Sequence, residues 1–400
     1  MLKILINDHC GHPFQVQLSR KLASRGYQVL HTFTAELTTP RGALVRQKDD
    51  SPTFEITPIK LGKEFNRYGL LERLRQEYKL GLLVAEKIAH FKPDVVITSN
   101  TPLITLKVID KMCKKYKINR IYWVQDLLGF GIKVNLNKKL PLIGGLLGEY
   151  FVWLEKYLLR QSDAIVVITE DFLSTCDRAG VTRDRVSVIY NWAPLDELPV
   201  LDKKNAWTQD HGVVHTFNFL YSGTLGMKHN PDLLIELAQH FKCEPTVRII
   251  VASEGIGANY LSKKKKELAL NNLMLLPFQD YHQLPRMLAA ADVLVALLEP
   301  DAGVFAVPSK VLTYLCAGRP LLLAVPPENL AARIVSEHGA GKVVPPNDPK
   351  AFVEAAWTLY KNANLRKVMA KKGRTYAEEH FDIEQIADKF ETIIKCAVKI

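Results

Sequence analysis

Short apolar runs alternate along the whole chain with longer stretches whose apolar residues recur every three or four positions. Alternation of this kind is typical of parallel β-strands connected by helices. The pattern predicts seven strands in the first half and six in the second, at residues 2–7, 28–33, 54–59, 94–98, 120–125, 164–169 and 186–190, and at 217–222, 247–252, 273–276, 292–298, 320–324 and 342–344. Several of these runs are apolar throughout, as expected for strands that helices cover on both faces.

A polar stretch at residues 191–212, with Pro194 and Pro199, interrupts the alternation. Because 400 residues exceed the size of one ordinary core, we predict two α/β domains, each a doubly wound, Rossmann-like parallel sheet. The expected divisions are a first domain at 1–195, a linker at 196–212, a second domain at 213–375, and a C-terminal helix at 376–400 that packs back toward the first domain. Domains of this type bind ligands at the carboxyl ends of their strands, so we expect the site in loops that follow strands.

One example of helical periodicity lies between the third and fourth strands. The apolar stripe predicted to face the core there consists of Leu70, Leu71, Leu74, Tyr78, Leu82 and Ala85.

Composition excludes several classes of protein. With 48% hydrophobic and 24% charged residues, the chain is neither disordered, collagen-like nor a coiled coil. The longest apolar run, residues 140–148, is too short to span a membrane, and the start of the chain suits a first strand better than a signal peptide. The six cysteines form no CxxC pair. We therefore expect a reduced, cytoplasmic protein that has no metal site and needs no cofactor.

Positive charge is concentrated in the first half. The net charge is +11, and residues 60–160 hold 19 basic side chains against 9 acidic ones. Such an excess predicts an anionic partner. Nucleic acid is disfavoured because the basic residues do not alternate with aromatic ones along a strand. The segment that best suits an anionic membrane surface combines lysines with apolar groups, namely Lys133, Lys138, Lys139, residues 140–147, Phe151, Trp153 and Leu154. An ordinary buried helix with basic flanks is the alternative.

Two loops of the second half have features of phosphate-binding loops. In the loop at 221–228, Gly223 and Gly226 permit a tight turn and Lys228 supplies charge. The segment 308–320 begins a helix at Pro308, Ser309 and Lys310, where free N–H groups and a lysine favour an anion. Each loop has a plain structural interpretation as well, as a strand-to-helix turn and as a helix cap.

A third glycine-containing loop, at 251–257, lacks the third glycine of a dinucleotide fingerprint, since Tyr260 stands in its place. The loop after the first strand has Gly11 alone. A nicotinamide-dependent dehydrogenase is therefore disfavoured.

With these loops the sequence resembles glycosyltransferase family 4, the retaining transferases of GT-B fold, and within it the exopolysaccharide and colanic acid branch with a Pro-Ser-Lys donor loop. The resemblance covers nearly the whole chain. Its motifs are the loop at Gly11, the segments 190–194, 222–228 and 254–255, the pairs 277–278 and 292–293, and the helix from 308 to 320.

The resemblance implies two facing Rossmann-like domains with a central cleft and assigns roles to individual residues. The diphosphate of a nucleotide sugar would be held by Lys228 and by the backbone of Ser309 and Lys310. Gly11 and Gly223 would allow their loops to approach this diphosphate closely. Pro277 and Phe278 would line the base pocket, and Glu254 would contact the nucleotide or the donor sugar.

The same resemblance implies that the diphosphate itself takes the acceptor proton, with Lys228, Asp126 and Glu254 as the catalytic set and Asp126 orienting the acceptor. The sequence departs from the family at the two glutamates of its donor motif, where it has Phe305 and Thr313. Thr313 can hydrogen-bond a ribose hydroxyl but supplies no charge. Glu299 or Asp301 would then be the substitutes.

The implied function is that of a retaining hexosyltransferase. It would move a sugar from a nucleotide-diphosphate sugar to a lipid-linked or oligosaccharide acceptor in cell-surface polysaccharide synthesis, peripherally on the inner face of the cell membrane. Two alternatives remain open: a non-catalytic subunit that binds nucleotide sugar or a partner, and a nucleotide-sugar epimerase of the same fold.

Overall fold

The computed structural model describes residues 1–37, 41–66, 69–139, 143–298, 300, 303 and 307–399, and it leaves out the side chains of Lys139 and Lys228. The chain divides into two compact units. One unit is Met1–Tyr190 with Ile383–Ile400, and the other is Asn191–Asp382.

The first unit is a parallel sheet covered by helices. Its described strands are β1 (Lys3–Asp8), β2 (Gln28–Thr34), β3 (Phe54–Ile59), β4 (Val95–Ser99), β5 (Asn119–Val124), β6 (Ala164–Val167) and β7 (Val186–Val188). Its described helices are α1 (Pro13–Ser24), α2 (Leu70–Phe91), α3 (Leu103–Tyr116), α4 (Leu128–Lys139), α5 (Gly144–Arg160), α6 (Leu173–Arg178) and, from the end of the chain, α15 (Ile383–Val398). The strand order is β3-β2-β1-β4-β5-β6-β7. The order therefore reverses between β1 and β4, where Rossmann-like sheets bind ligands.

The last helix, α15, is part of the first unit. Phe390 on α15 packs edge-on against Trp123 of β5, with 4.8 Å between ring centres. Arg25, just after α1, pairs with Glu384, Asp388 and Glu391 on successive turns of α15.

The predicted core stripe of α2 is wrong. Leu71, Tyr78 and Leu82 are 73%, 54% and 44% exposed, whereas Leu80 and Val84 are buried. The reason is that α2 packs against α3 through its opposite side: Gly81 lies so close to α3 that an added Cβ would stand 2.7 Å from Val108. Leu71, Tyr78 and Leu82 form a second, outward face, whereas Ala85 of the predicted stripe is buried.

The prediction for residues 133–160 is wrong in part. Phe151 and Leu154 are core residues of α5, and Lys133 forms an ion pair with Glu149. The glycines in this segment explain the burial, because an added Cβ at Gly144 would stand 2.3 Å from the Leu136 carbonyl oxygen of α4. Helices α4 and α5 thus pack closely. Leu140 and the side chain of Lys139 lie outside the described residues.

The second unit repeats the architecture. Its described strands are β8 (Phe217–Ser222), β9 (Val247–Ala252), β10 (Leu273–Leu276), β11 (Val293–Leu297), β12 (Leu321–Ala324) and β13 (Gly341–Val344). Its described helices are α7 (Ala206–Asp210), α8 (Asp232–His240), α9 (Ile256–Glu267), α10 (Leu284–Ala289), α11 (Ser309–Cys316), α12 (Leu330–Glu337), α13 (Pro349–Lys361) and α14 (Ala363–His380). The order β10-β9-β8-β11-β12-β13 reverses between β8 and β11.

The predicted α/β class with two Rossmann-like parallel sheets is confirmed. Strands β8, β9, β11 and β12 are almost wholly buried, in agreement with their continuous apolar sequences. Within the described part of the chain, no helix combines the length and the apolarity that crossing a membrane requires.

Candidate functional site

The chain turns sharply where β8 ends. Gly223 has φ +123°, a backbone conformation that residues with a side chain rarely adopt. Its N–H donates to the Ala252 carbonyl oxygen at the end of the neighbouring β9, at 3.0 Å. Tyr221 stabilises the turn, because its ring is buried and its hydroxyl donates to the Thr224 carbonyl oxygen at 2.7 Å.

Lys310, at the start of α11, reaches this turn. Its Nζ donates to the Tyr221 hydroxyl oxygen at 2.5 Å and lies 3.9 Å from the centre of the Tyr221 ring. A Cβ added at Gly223 would stand 3.2 Å from both Cε and Nζ of Lys310. The two loops that the sequence singled out for phosphate therefore meet here, and Gly223 leaves the space in which the lysine lies.

Among the residues that the structure describes, the Lys310 ammonium has no counter-charge. Burial lowers its pKa from 10.5 to about 7, and no carboxylate of the described residues pairs with it. Beside it, α11 begins at Pro308 without a side-chain cap, and the first N–H groups of a helix have no partner within the helix. A lysine that no described carboxylate neutralises, beside a helix start without a side-chain cap, can bind an anion.

Tyr314, one turn after Lys310, holds α11 against the turn. The Ser222 N–H donates to the Tyr314 hydroxyl oxygen at 2.8 Å, and that hydroxyl approaches the Ser222 carbonyl oxygen at 3.1 Å. Sequence reasoning missed both Tyr221 and Tyr314. The spacing of four residues between Lys310 and Tyr314, which places them on one face of a helix, was the available signal.

Glu254 and the predicted base-pocket residues come together at the ends of β9 and β10. The Phe278 N–H donates to Oε1 of Glu254 at 3.2 Å. Phe278 is half-buried, and Pro277 and Glu254 are exposed. Gly257, which was also missed, joins this loop to the Gly223 turn: its N–H donates to the Leu225 carbonyl oxygen at 3.1 Å, and an added Cβ would stand 2.3 Å from that oxygen.

The remaining predicted donor residues are only partly placed. Ser309 is exposed at the start of α11, and Thr313 is half-buried on the same helix. Lys228 lies in a short 3₁₀ turn, Met227–His229, and its side chain is outside the description. Glu299, Asp301 and Phe305 are outside the described residues.

In the first unit, backbone N–H groups of the loop at Gly11 bind the carboxylate of Asp8. The N–H groups of Cys10 and His12 donate to Asp8 at 3.0 and 2.6 Å, and Gly11 has φ +77°. These N–H groups are thus already hydrogen-bonded. Burial raises the pKa of Asp8 to about 7. Asp8 closes β1, and its position at a strand end was the signal that sequence reasoning passed over.

Asp126 follows β5 and is half-buried. Its neighbour is Glu155 of α5, a buried carboxyl that accepts hydrogen bonds from the N–H groups of Leu128 and Gly129, where α4 begins. Burial, opposed by these bonds and assisted by the charge of Asp126, raises the pKa of Glu155 to about 7. Glu155 lies in the middle of a helix and carried no sequence signal.

Comparisons with known proteins agree with this architecture. Residues 12–192 match the family described as "Glycosyl transferase 4-like domain", and residues 204–376 match "Glycosyl transferases group 1". WcaI of Escherichia coli (strain K12), named as a glycosyl transferase of colanic acid biosynthesis, is 23% identical over 309 residues, which are 75% of this chain and 73% of that protein.

Solved structures share the fold. Alr3699/HepE of Anabaena, in complex with UDP and glucose, superposes with a TM-score of 0.73 at 16% identity, covering 99% of this chain and 100% of that one. The sucrose-phosphate synthase tll1590 from Thermosynechococcus elongatus has a TM-score of 0.76 at 15% identity and covers 99% of this chain and 98% of that one.

The two matched domains and the shared fold define a glycosyltransferase of GT-B type. The resemblance to family 4 is confirmed at this level: the first unit has the 4-like domain, and the second unit has the group 1 domain.

Proposed function

We propose that the chain transfers a hexose, with retention, from a nucleoside-diphosphate sugar to a lipid-linked saccharide in cell-surface polysaccharide synthesis. The observation that carries the proposal is Lys310, a half-buried ammonium that lies on Tyr221 beside Gly223 and has no carboxylate partner among the described residues. A diphosphate supplies the negative charge that this arrangement lacks. HepE, solved with UDP-glucose, and the colanic acid name of WcaI support the choice of donor and product.

The proposed chemistry rests on charge. When the bond from the sugar to the diphosphate breaks, negative charge develops on the leaving phosphate. The Lys310 ammonium and the free N–H groups of Ser309 and Lys310 would stabilise it, since such groups act most strongly where water is excluded. Lys228 and Gly223 belong to the same proposed donor site. The leaving phosphate would take the acceptor proton, with Asp126 orienting the acceptor.

Glu254 and Phe278 form the proposed contact with the nucleotide. Because the Phe278 N–H binds Glu254, the carboxylate is held beside the segment of Pro277 and Phe278. Thr313 takes the position of the family's ribose-binding glutamate in this proposal. No metal or other cofactor is proposed.

The test is calorimetric titration with UDP-, GDP- and ADP-sugars, followed by radiolabelled transfer to a membrane lipid extract. Binding of one nucleotide class together with transfer supports the proposal. Binding without transfer or donor hydrolysis would instead indicate a non-catalytic subunit, and isomerisation of the free donor would indicate an epimerase. Absence of binding to all three classes would refute the donor site.

A further inference from the structure

Three aromatic side chains form a row on the outer side of α5. Tyr150, Trp153 and Tyr157 follow one another at spacings of three and four residues, so they share one face of the helix. The Trp153 ring stacks on Tyr157 at 5.7 Å and lies 6.0 Å from Tyr150. Trp153 is 52% exposed although it is a large apolar ring. The row is therefore ordered by its own stacking and not by burial.

Lysines of the adjacent helix α3 pair with both ends of this row. Lys107 Nζ lies 3.0 Å from the Tyr150 hydroxyl, and Lys114 Nζ lies 2.9 Å from the Tyr157 hydroxyl and 4.9 Å from that ring's centre. Lys111 falls between them on the same side of α3 and is exposed. We call the set of Lys107, Lys111, Lys114, Tyr150, Trp153 and Tyr157 the aromatic–lysine face.

The acidic residues of these two helices neutralise only part of the face. Helix α3 has one acidic residue, Asp110, and α5 has two, Glu149 and Glu155. Asp110 is buried and forms an ion pair with Lys114 at 3.0 Å, Glu155 is buried, and Glu149 pairs with Lys133. The surface charge that α3 and α5 present is therefore positive.

We propose that the aromatic–lysine face binds the surface of a membrane rich in anionic phospholipid. Tyr and Trp side chains are suited to the boundary between headgroups and acyl chains, because each has an apolar ring and a polar atom. Lysines reach phosphates beside such rings while their stems stay on apolar surface.

This inference deepens the proposed function, since a lipid-linked acceptor lies at such a surface. It replaces the surface predicted from residues 133–160: the lysines come from α3, and Trp153 is the residue common to both.

The experiment uses the full chain and sedimentation with vesicles of phosphatidylglycerol and phosphatidylcholine, compared with phosphatidylcholine alone. We expect binding to the anionic vesicles only, and a loss of that binding at high salt. Trp153→Ala and the double variant Lys111→Gln/Lys114→Gln should each weaken the binding about tenfold or more, because one removes the exposed ring of the face and the other removes two of its three positive charges. Trp357→Ala is the matched control, because Trp357 is also half-exposed and lies under a lysine, Lys361, but belongs to the second unit.

Fluorescence gives a second measurement. Trp123, Trp192 and Trp207 are buried, so in a Trp357→Phe background the exposed emission comes from Trp153. A blue shift on adding anionic vesicles is expected. Equal binding to both vesicle types, equal effects of Trp153→Ala and Trp357→Ala, or an unshifted spectrum would overturn the proposal. A self-association that Trp153→Ala abolishes, without vesicle binding, would assign the face to a second copy instead.

The two proposals fail separately. Vesicle binding is measured without nucleotide, and Trp153→Ala should leave calorimetric donor binding unchanged. Absence of donor binding to the wild-type protein would refute the donor site and leave the membrane result standing.

Discussion

Lys310 offers a test in which stability and function change in opposite directions. Lys310→Met keeps the length and most of the apolar stem of the side chain but removes the ammonium that lies on Tyr221. Because folding lowers the pKa of this lysine from 10.5 to about 7, the unfolded chain holds the proton more tightly than the folded one. The charged lysine therefore destabilises the folded state most below about pH 7, and this cost declines as the pH rises through the interval and disappears above the unfolded pKa of 10.5.

The expected gain follows from that shift. At pH 7.5 a displacement of this size corresponds to about 4 kcal/mol, from which about 1 kcal/mol is lost with the hydrogen bond to Tyr221. We expect Lys310→Met to raise the free energy of unfolding of the second unit by about 1–3 kcal/mol. The same substitution should weaken binding of the nucleotide sugar about 10- to 150-fold, the equivalent of about 1.5–3 kcal/mol for one hydrogen bond to a charged group.

Calorimetry and thermal melts on the same samples measure both effects. A nucleotide sugar is the better ligand than a free diphosphate, because its two phosphodiester groups do not titrate near pH 7. Since the charged lysine is the binding form, wild-type affinity should fall about 20-fold between pH 6.5 and 8.5. This dependence should vanish in Lys310→Arg, whose charge is permanent. Lys371→Met, at an exposed lysine of α14, is the control. Lower stability together with unchanged affinity in Lys310→Met would refute the reasoning.

Three further substitutions test the supporting structure. Tyr314→Phe leaves the Ser222 N–H without its partner and should cost about 1–3 kcal/mol, seen as a lower melting temperature; an unchanged melt would contradict this. Gly257→Ala, which forces a Cβ against the Leu225 carbonyl oxygen, should destabilise by about 1–3 kcal/mol, whereas Gly131→Ala, with open space around it, should not destabilise. Burial raises the pKa of Asp8 from 3.8 to about 7, so the protonated form favours folding and stability falls as the pH rises through this interval. Urea melts should therefore show wild type losing about 3 kcal/mol relative to Asp8→Asn between pH 4.5 and 7.5, and a constant difference would exclude this role of Asp8.

The sheets were predictable because strands covered on both faces leave a strong signal. Runs such as those of β8 and β11 are apolar at nearly every position, and their order along the chain indicates parallel strands joined by helices. Helix faces were less predictable. The apolar positions of α2 fit two opposite stripes, and only the close contact of Gly81 with α3 decides which of them is buried.

For the site, loop chemistry was visible in the sequence but its support was not. Gly223 and Lys310 belong to recognisable loops, whereas Tyr221 and Gly257 act through contacts between segments far apart in the chain. Glu155 shows the limit most clearly. It lies among the apolar residues of α5 and becomes a buried cap of α4 only when the two helices pack together.

Thr313 and the low pKa of Lys310 are two aspects of one arrangement. Residues 310 and 313 are three positions apart on α11, and side chains at that spacing are neighbours on a helix. The glutamate that family 4 has at this position would stand beside Lys310, raise its pKa and neutralise its charge. With threonine there instead, the ammonium keeps no carboxylate neighbour on its own helix, and the neutral amine becomes accessible near pH 7. A diphosphate bound at this position would then contact a lysine whose charge is not balanced by any carboxylate of α11. In the proposed donor site, threonine at this position would therefore remove a ribose contact and at the same time leave Lys310 to be neutralised by an anionic ligand at the start of α11.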